Sequence, residues 1–130
     1  MKYKMIVAVM LLVFFMGGQG HGKSLGNDSD FITDFGDVPL MKGLTELDEE
    51  RVIFDTEAGT IAETVLVGKI KAADIQAFYE QSLKQLGWKK IEAGHSASRW
   101  TFIRDKQVLS LRLFDSSGTK SLLVHLEPGK

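Results

Sequence analysis

Cysteine is absent from all 130 residues. That excludes disulfides and the lipid-bearing N-terminal cysteine of a lipoprotein, so stability must come from a packed core. Proline is confined to Pro39 and Pro128. No block of basic residues occurs, and capture of nucleic acid or anionic lipid by net charge is therefore not encoded. Internal repeats and low-complexity tracts are missing. So are a phosphate loop, a dinucleotide fingerprint, metal-ligand spacing and a G-x-S-x-G nucleophile turn. What remains is 44% hydrophobic and 25% charged, the composition of one ordinary globular domain.

The longest apolar run is short and lies at the start. Residues 5–16, MIVAVMLLVFFM, follow Lys2 and Lys4 and precede the small residues of GGQGHG. Positive, apolar, then small is the order of a secretory signal peptide. At ~1.5 Å per residue the run spans only about 18 Å, against a hydrocarbon core of ~30 Å. An uncleaved membrane anchor is the alternative, and it would have to recruit Gly17 and Gly18 and tolerate mismatch. Cleavage after Gly20 removes Lys2 and Lys4 and no acid. It leaves 14 basic and 17 acidic residues, a formal net charge of −3. The expected location is the periplasm.

The remaining chain divides into three parts. Residues 21–34 begin with the polar, glycine-rich HGKSLGNDSD and read as a flexible lead-in. Residues 35–50 read as an extended arm. Its apolar stretch, FITDFGDVPLMKGL, already starts at Phe31 and shows no clean period. Pro39 pushes Val38 towards an extended conformation, and Leu40 and Met41 are the expected anchors. Residues 51–130 form the domain. RVIFD and TIAETVLVG carry the β-branched and aromatic residues of strands, with the turn chemistry of TEAG between them.

A helix follows over about residues 72–86. Ile75, Phe78, Tyr79, Leu83 and Leu86 recur at helical spacing. Ile70 and Ile75 make a plausible staple at its start. Gly87 suits the left-handed cap that ends a helix, and Trp88 falls where such caps place an apolar residue against the last turn. The period then changes to two. WKKI, RWTFIR, QVLSLRLF and KSLLVHLE read as strands, with EAGHSAS a loop and DK and DSSG turns. The order β-β-α-β-β-β-β predicts an α+β fold: an antiparallel meander of five to six strands covered on one face by a single amphipathic helix.

The combination DVPLMKGL, VIFDTEAGTIAE and FYEQSLKQLGW, followed by a strand-rich tail ending in EP, resembles a family of small exported proteins of alphaproteobacterial type. The resemblance spans about residues 37–128. It implies export and a small α+β fold, and supplies no chemistry. The family pattern tends to carry arginine where this chain has Thr60, so a binding role for that arginine does not carry over.

Catalytic candidates are few. His125 sits at an outward strand position beside Glu127, and His95 in a Gly-His-Ser loop near Ser96 and Ser98. A nucleophile needs a base and an orienting carboxylate converging in space, and the sequence does not supply that pattern. His21 would form a Gln-Gly-His start if cleavage followed Gly18, an arrangement with square-planar metal preference; a tag without function is the plainer account. Asp48, Glu49 and Glu50 read as a solvated run, and Asp55 as a turn-initiating residue. The interleaved aromatics and bases of RWTFIR could read a single strand of nucleic acid, but Trp100 and Phe102 fit a core or groove better.

The expected function is thus a non-catalytic periplasmic interaction module without cofactor or metal. Its partner would be an envelope protein, met through Pro39, Leu40 and Met41 or through Phe54 and Asp55. The alternative is a carrier of a small apolar, lipid-like ligand, held in a cleft between helix and sheet beside Phe78, Trp88, Trp100 and Phe102. An enzyme resting on Asp55, His95 and His125 is the third reading.

Overall fold

The computed structural model describes residues 30–92 and 98–129. The expected signal segment, His21, His95 and Ser96 lie outside the described residues. The fold is α+β: one helix lies on an open antiparallel sheet. The strands are β1 (Thr45–Glu46), β2 (Val52–Thr56), β3 (Gly59–Gly68), β4 (Lys89–Ile91), β5 (Arg99–Arg104), β6 (Gln107–Ser116) and β7 (Thr119–Pro128). The helix α1 covers Ala72–Gln85. In space the order is β1-β3-β7-β6-β5-β4, and β2 joins the β1 side of β3.

Alternation along each strand sorts side chains onto two faces. The inner face is built from cross-strand rows. Ala62 lies opposite Leu126, Leu126 opposite Leu109, and Leu109 opposite Phe102. Thr64, Val124, Leu111 and Trp100 form the next row, and Leu66, Leu122 and Leu113 the third. All but Leu113 are buried. Helix α1 lays Ile75, Tyr79 and Leu83 on this face, one turn apart in succession, and each is fully buried. At ~1.5–3 kcal/mol per buried side chain of this size, the seam between helix and sheet is a main source of stability.

The helix does not cover the face alone. Ile32, Phe35, Val38 and Leu44 are buried in the same core, with Leu40 and Met41 half-buried beside them. The ordered arm therefore begins before the expected boundary at residue 35: Ile32 is 1% exposed. Its deep anchors are Ile32, Phe35 and Val38 rather than Leu40 and Met41. The Val38 N–H bonds to Phe35 O, and the Ile32 N–H to Val38 O, so the segment closes on itself while its apolar side chains point into the core. The seventh strand, β1, is too short for a periodicity signal. It pairs Thr45 with Val67 and Glu46 with Leu66. The arm enters so closely that a Cβ on Gly68 would collide with the Gly43 carbonyl oxygen.

Turns match the residues that make them. Asp105 (φ 45°) and Lys106 (φ 66°) close β5 onto β6, and Ser117 (φ 53°) and Gly118 (φ 89°) close β6 onto β7. Both are left-handed pairs of the kind two-residue hairpins need. The β2–β3 loop is shorter than the expected TEAG, because Thr56 pairs with Gly59 and only Glu57 and Ala58 intervene.

Candidate functional site

The corner after α1 is a helix stop. Gly87 (φ 93°) is left-handed, its N–H bonds to Lys84 O at 3.1 Å, and the Trp88 N–H bonds to Leu83 O at 2.9 Å. These two bonds define the double-bonded glycine cap. Trp88 is then buried with Leu83 in the core. Leu86, expected on the apolar face, is instead over a third exposed, because the cap turns the chain before it can pack.

Arg104 binds this corner to the arm. It shares the inward register of Trp100 and Phe102 but lies at the end of β5. Its guanidinium donates to both Asp37 carboxylate oxygens at 2.9 Å and to Leu86 O at 2.9 Å, and stacks 4.4 Å from the Trp88 ring centre. The Arg104 hydrogen bonds hold the Asp37 carboxyl below the usual carboxylate range, against the opposing effect of burial. Tyr79 performs a second tie. Its hydroxyl donates to Pro39 O at 2.9 Å and accepts from the Met41 N–H at 3.2 Å, and burial pushes its phenol pKa well up. The backbone of Pro39 and Met41 thus holds the arm against α1, and the side chains of Pro39, Leu40 and Met41 are half-buried.

The expected aromatic residues do not all meet at one hollow. Trp100 and Phe102 are buried in the filled core, and Trp88 with them. Trp88 and Phe102 also border an open cleft of about 460 Å³ beside the end of α1, rimmed by Glu80, Lys84, Lys89 and Lys90. Lys90 donates to Glu80, which with Gln76 keeps the Glu80 carboxyl below its ordinary range. Trp88 Nε1 is buried without a partner among the described residues.

The opposite face of the sheet is different. Among the described residues no element lies across it. Its central row runs Val52, Glu63, His125, Ser110, Thr101 and Ile91, each opposite the next. His125 Nδ1 is 3.2 Å from Glu63 Oε2, and Nε2 is 3.7 Å from Glu127 Oε1. Ser110 stands opposite His125, but no hydrogen bond joins them, so the link between nucleophile and base that acyl transfer requires is missing. Arg99 and Arg112 face each other across β5 and β6. Neither has a carboxylate partner among the described residues. Together with Glu63, Thr101, Ser110, Leu123 and His125 they line a shallow hollow of about 260 Å³. Asp55 projects on the other face from His125, so these two candidates do not converge. Among the described residues no group of three His, Asp or Glu could hold a metal ion, and no helix is long and apolar enough to cross a membrane.

Exposed apolar residues mark the open face. Phe54 is 59% exposed and Val52 43%, with Ile103 and Phe114 similarly placed. The first two belong to β2, whose five residues are all exposed. Phe54 and Asp55 therefore sit at a sheet edge, on β2 rather than on the arm or the corner after α1. Sequence reasoning missed Arg104, Asp37 and Tyr79 as structural ties. The inward parity of Arg104 in RWTFIR was the available signal. Comparison with family models, with curated proteins and with solved structures found no match.

Proposed function

We propose that the protein is an exported, non-catalytic interaction module that binds a partner protein of the cell envelope through its open sheet face. The observation that carries this reading is the one-sided cover. α1 and the arm occupy one face, while Val52, Phe54, Ile103 and Phe114 on the other stay in solvent. Aromatic residues are enriched in interfaces, and a side chain of this kind gains ~1.5–3 kcal/mol when a partner buries it. The polar centre of the face, from Glu63 to Thr101, supplies orientation rather than chemistry. Export rests on the signal-like order of residues 1–20 and on the resemblance to small exported proteins.

The test is site-specific photo-crosslinking in the native host, with the reactive residue placed in turn at Phe54, Phe114 and Leu40. The same discrete adduct from Phe54 and Phe114, and none from Leu40, is the expected result. An adduct from Leu40 alone would move the interface to the arm and overturn this reading.

A second reading, carriage of a small apolar ligand, is favoured by the 460 Å³ cleft beside Trp88 and Phe102, which falls in the usual range of ~300–1,000 Å³ for ligand sites. Native mass spectrometry of the protein purified from its host tests it, and a mass equal to that of the chain alone removes it.

A further inference from the structure

The backbone of β2 carries more information than its side chains. Leu47 donates its N–H to Val65 O at 2.9 Å across the same edge of β3 that β2 occupies. Odd-numbered residues of β3 therefore turn their backbone groups towards that edge, because N–H and C=O groups alternate sides along an antiparallel strand. In the observed register Phe54 lies opposite Ile61 and Val52 opposite Glu63. Those pairs are the hydrogen-bonded ones. Ile53 and Asp55, opposite Ala62 and Thr60, turn their N–H and C=O groups outward. Arg51 is of the same parity, but its N–H is taken by Asp48 O.

This edge is bare in a way the other is not. The far edge, β4, is three residues long and carries Lys89 and Lys90, the short, charged form that discourages strand pairing. β2 has neither lysine nor proline nor bulge, and Val52, Ile53 and Phe54 are 43%, 39% and 59% exposed. Its ends are acidic. Asp48, Glu49 and Glu50 precede it, and Asp55 and Glu57 lie at its end and turn; all are exposed. Arg51 does not offset them, since Asp34, Glu46 and Asp48 already surround it at 3.6, 3.5 and 3.0 Å.

We infer that β2 accepts an added strand: an extended segment of the partner protein, apolar at its centre and carrying Lys or Arg at its ends, hydrogen-bonded to Ile53 and Asp55. Such strand addition takes affinity from the main chain and selectivity from alternate side chains. The acidic ends select the basic flanks and also oppose self-pairing. Antiparallel pairing of two β2 strands about Ile53 would set the Glu57 turn of one copy against Asp48–Glu50 of the other. The inference rests on the proposed partner-binding reading and specifies its geometry.

The experiment is amide hydrogen exchange read by NMR on the free protein and with each of two capped peptides, Lys-Val-Thr-Val-Thr-Val-Lys and Glu-Val-Thr-Val-Thr-Val-Glu. With the lysine peptide, exchange at Ile53 and Asp55 is expected to slow by about tenfold or more, while Phe54, already bonded to Ile61, is unchanged. The glutamate peptide should give no protection. Ile53→Pro removes only an outward N–H, and Ile53→Lys keeps every backbone group but adds the missing edge charge; both should lose the protection of Asp55 while retaining the wild-type fold by circular dichroism. Equal protection by the glutamate peptide, protection confined to β4, or binding unaffected by both variants overturns the inference. Protection of Ile53 that grows with protein concentration and needs no peptide overturns it in favour of a self-paired dimer. If the Phe54 and Phe114 crosslinks persist in Ile53→Pro, the partner-binding reading stands and strand addition alone fails.

Discussion

Arg104 and Asp37, separated by 67 positions in the chain, form a two-pronged ion pair with both contacts at 2.9 Å. The same guanidinium covers Trp88 and caps the carbonyl of Leu86. One side chain thus joins the arm, the end of α1 and β5. A planar fork can do this and an ammonium cannot.

Replacing Arg104 by Ala is expected to cost about 1–2 kcal/mol, the sum of a partly exposed ion pair and a ring contact. Arg104→Lys should lose most of the same amount. Urea midpoints of both variants, with Asp37→Ala and the double variant to complete a cycle, measure the coupling. Additive losses would show that the two residues act independently.

The same pair sets an acid response. Asp37 titrates below the ~3.9 of an unperturbed aspartate, mainly through the Arg104 hydrogen bonds. Its stabilisation is complete above that value and is lost as pH falls through the depressed folded pKa. Asp37→Asn should therefore flatten the stability curve at the acid end and leave its neutral-to-basic limb parallel to wild type. Denaturant midpoints taken across the acid range will show whether the slope changes.

Trp88→Ala should cost about 3–5 kcal/mol, as for other large core aromatics. Gly87→Ala should cost about 1–2 kcal/mol from left-handed backbone strain, since its Cβ would meet only Arg104 Cδ at an ordinary 3.5 Å. Thermal melts that leave Trp88→Ala unchanged would refute the helix-stop account.

Tyr79→Phe strands the Pro39 carbonyl and the Met41 N–H, which both rely on the lost hydroxyl. The expected cost is about 1–3 kcal/mol, with faster exchange at Met41 and no change at Leu109. Equal acceleration of both amides would mean global rather than arm-specific loosening.

Thr64→Val should do the reverse. The Thr64 hydroxyl is fully buried between apolar neighbours and has no partner among the described residues. Removing it at constant shape should raise stability by about 1 kcal/mol. A lower melting temperature would reveal a partner for that oxygen.

The helix and the strands β3, β5, β6 and β7 were readable because each buries one face, and one-sided burial writes its period into the sequence; β2, exposed throughout, was readable only from its β-branched and aromatic residues. Leu109 and Leu111, or Ile75, Tyr79 and Leu83, announce themselves this way. The arm was only half readable. Phe31–Pro39 pairing and the turns between them follow no period, so the burial of Ile32, Phe35 and Val38 was not legible, although the apolar content was. Of the candidate surface residues, Phe54 and Asp55 stand in a hairpin that strand-forming and turn residues reveal. That they share an unguarded edge was not visible, because edge position depends on which strand β3 pairs with on its other side.

By itself the sequence determined the local alternatives: where the chain turns, which residues of each strand share a face, and that Gly87 ends the helix. Those are short-range matters of backbone sterics and side-chain period. Tertiary structure decided that the arm shares the core with α1, that Arg104 meets Asp37, and that β2 rather than β4 is the bare edge. Each depends on contacts between residues distant in the chain, whose pairing no local pattern encodes.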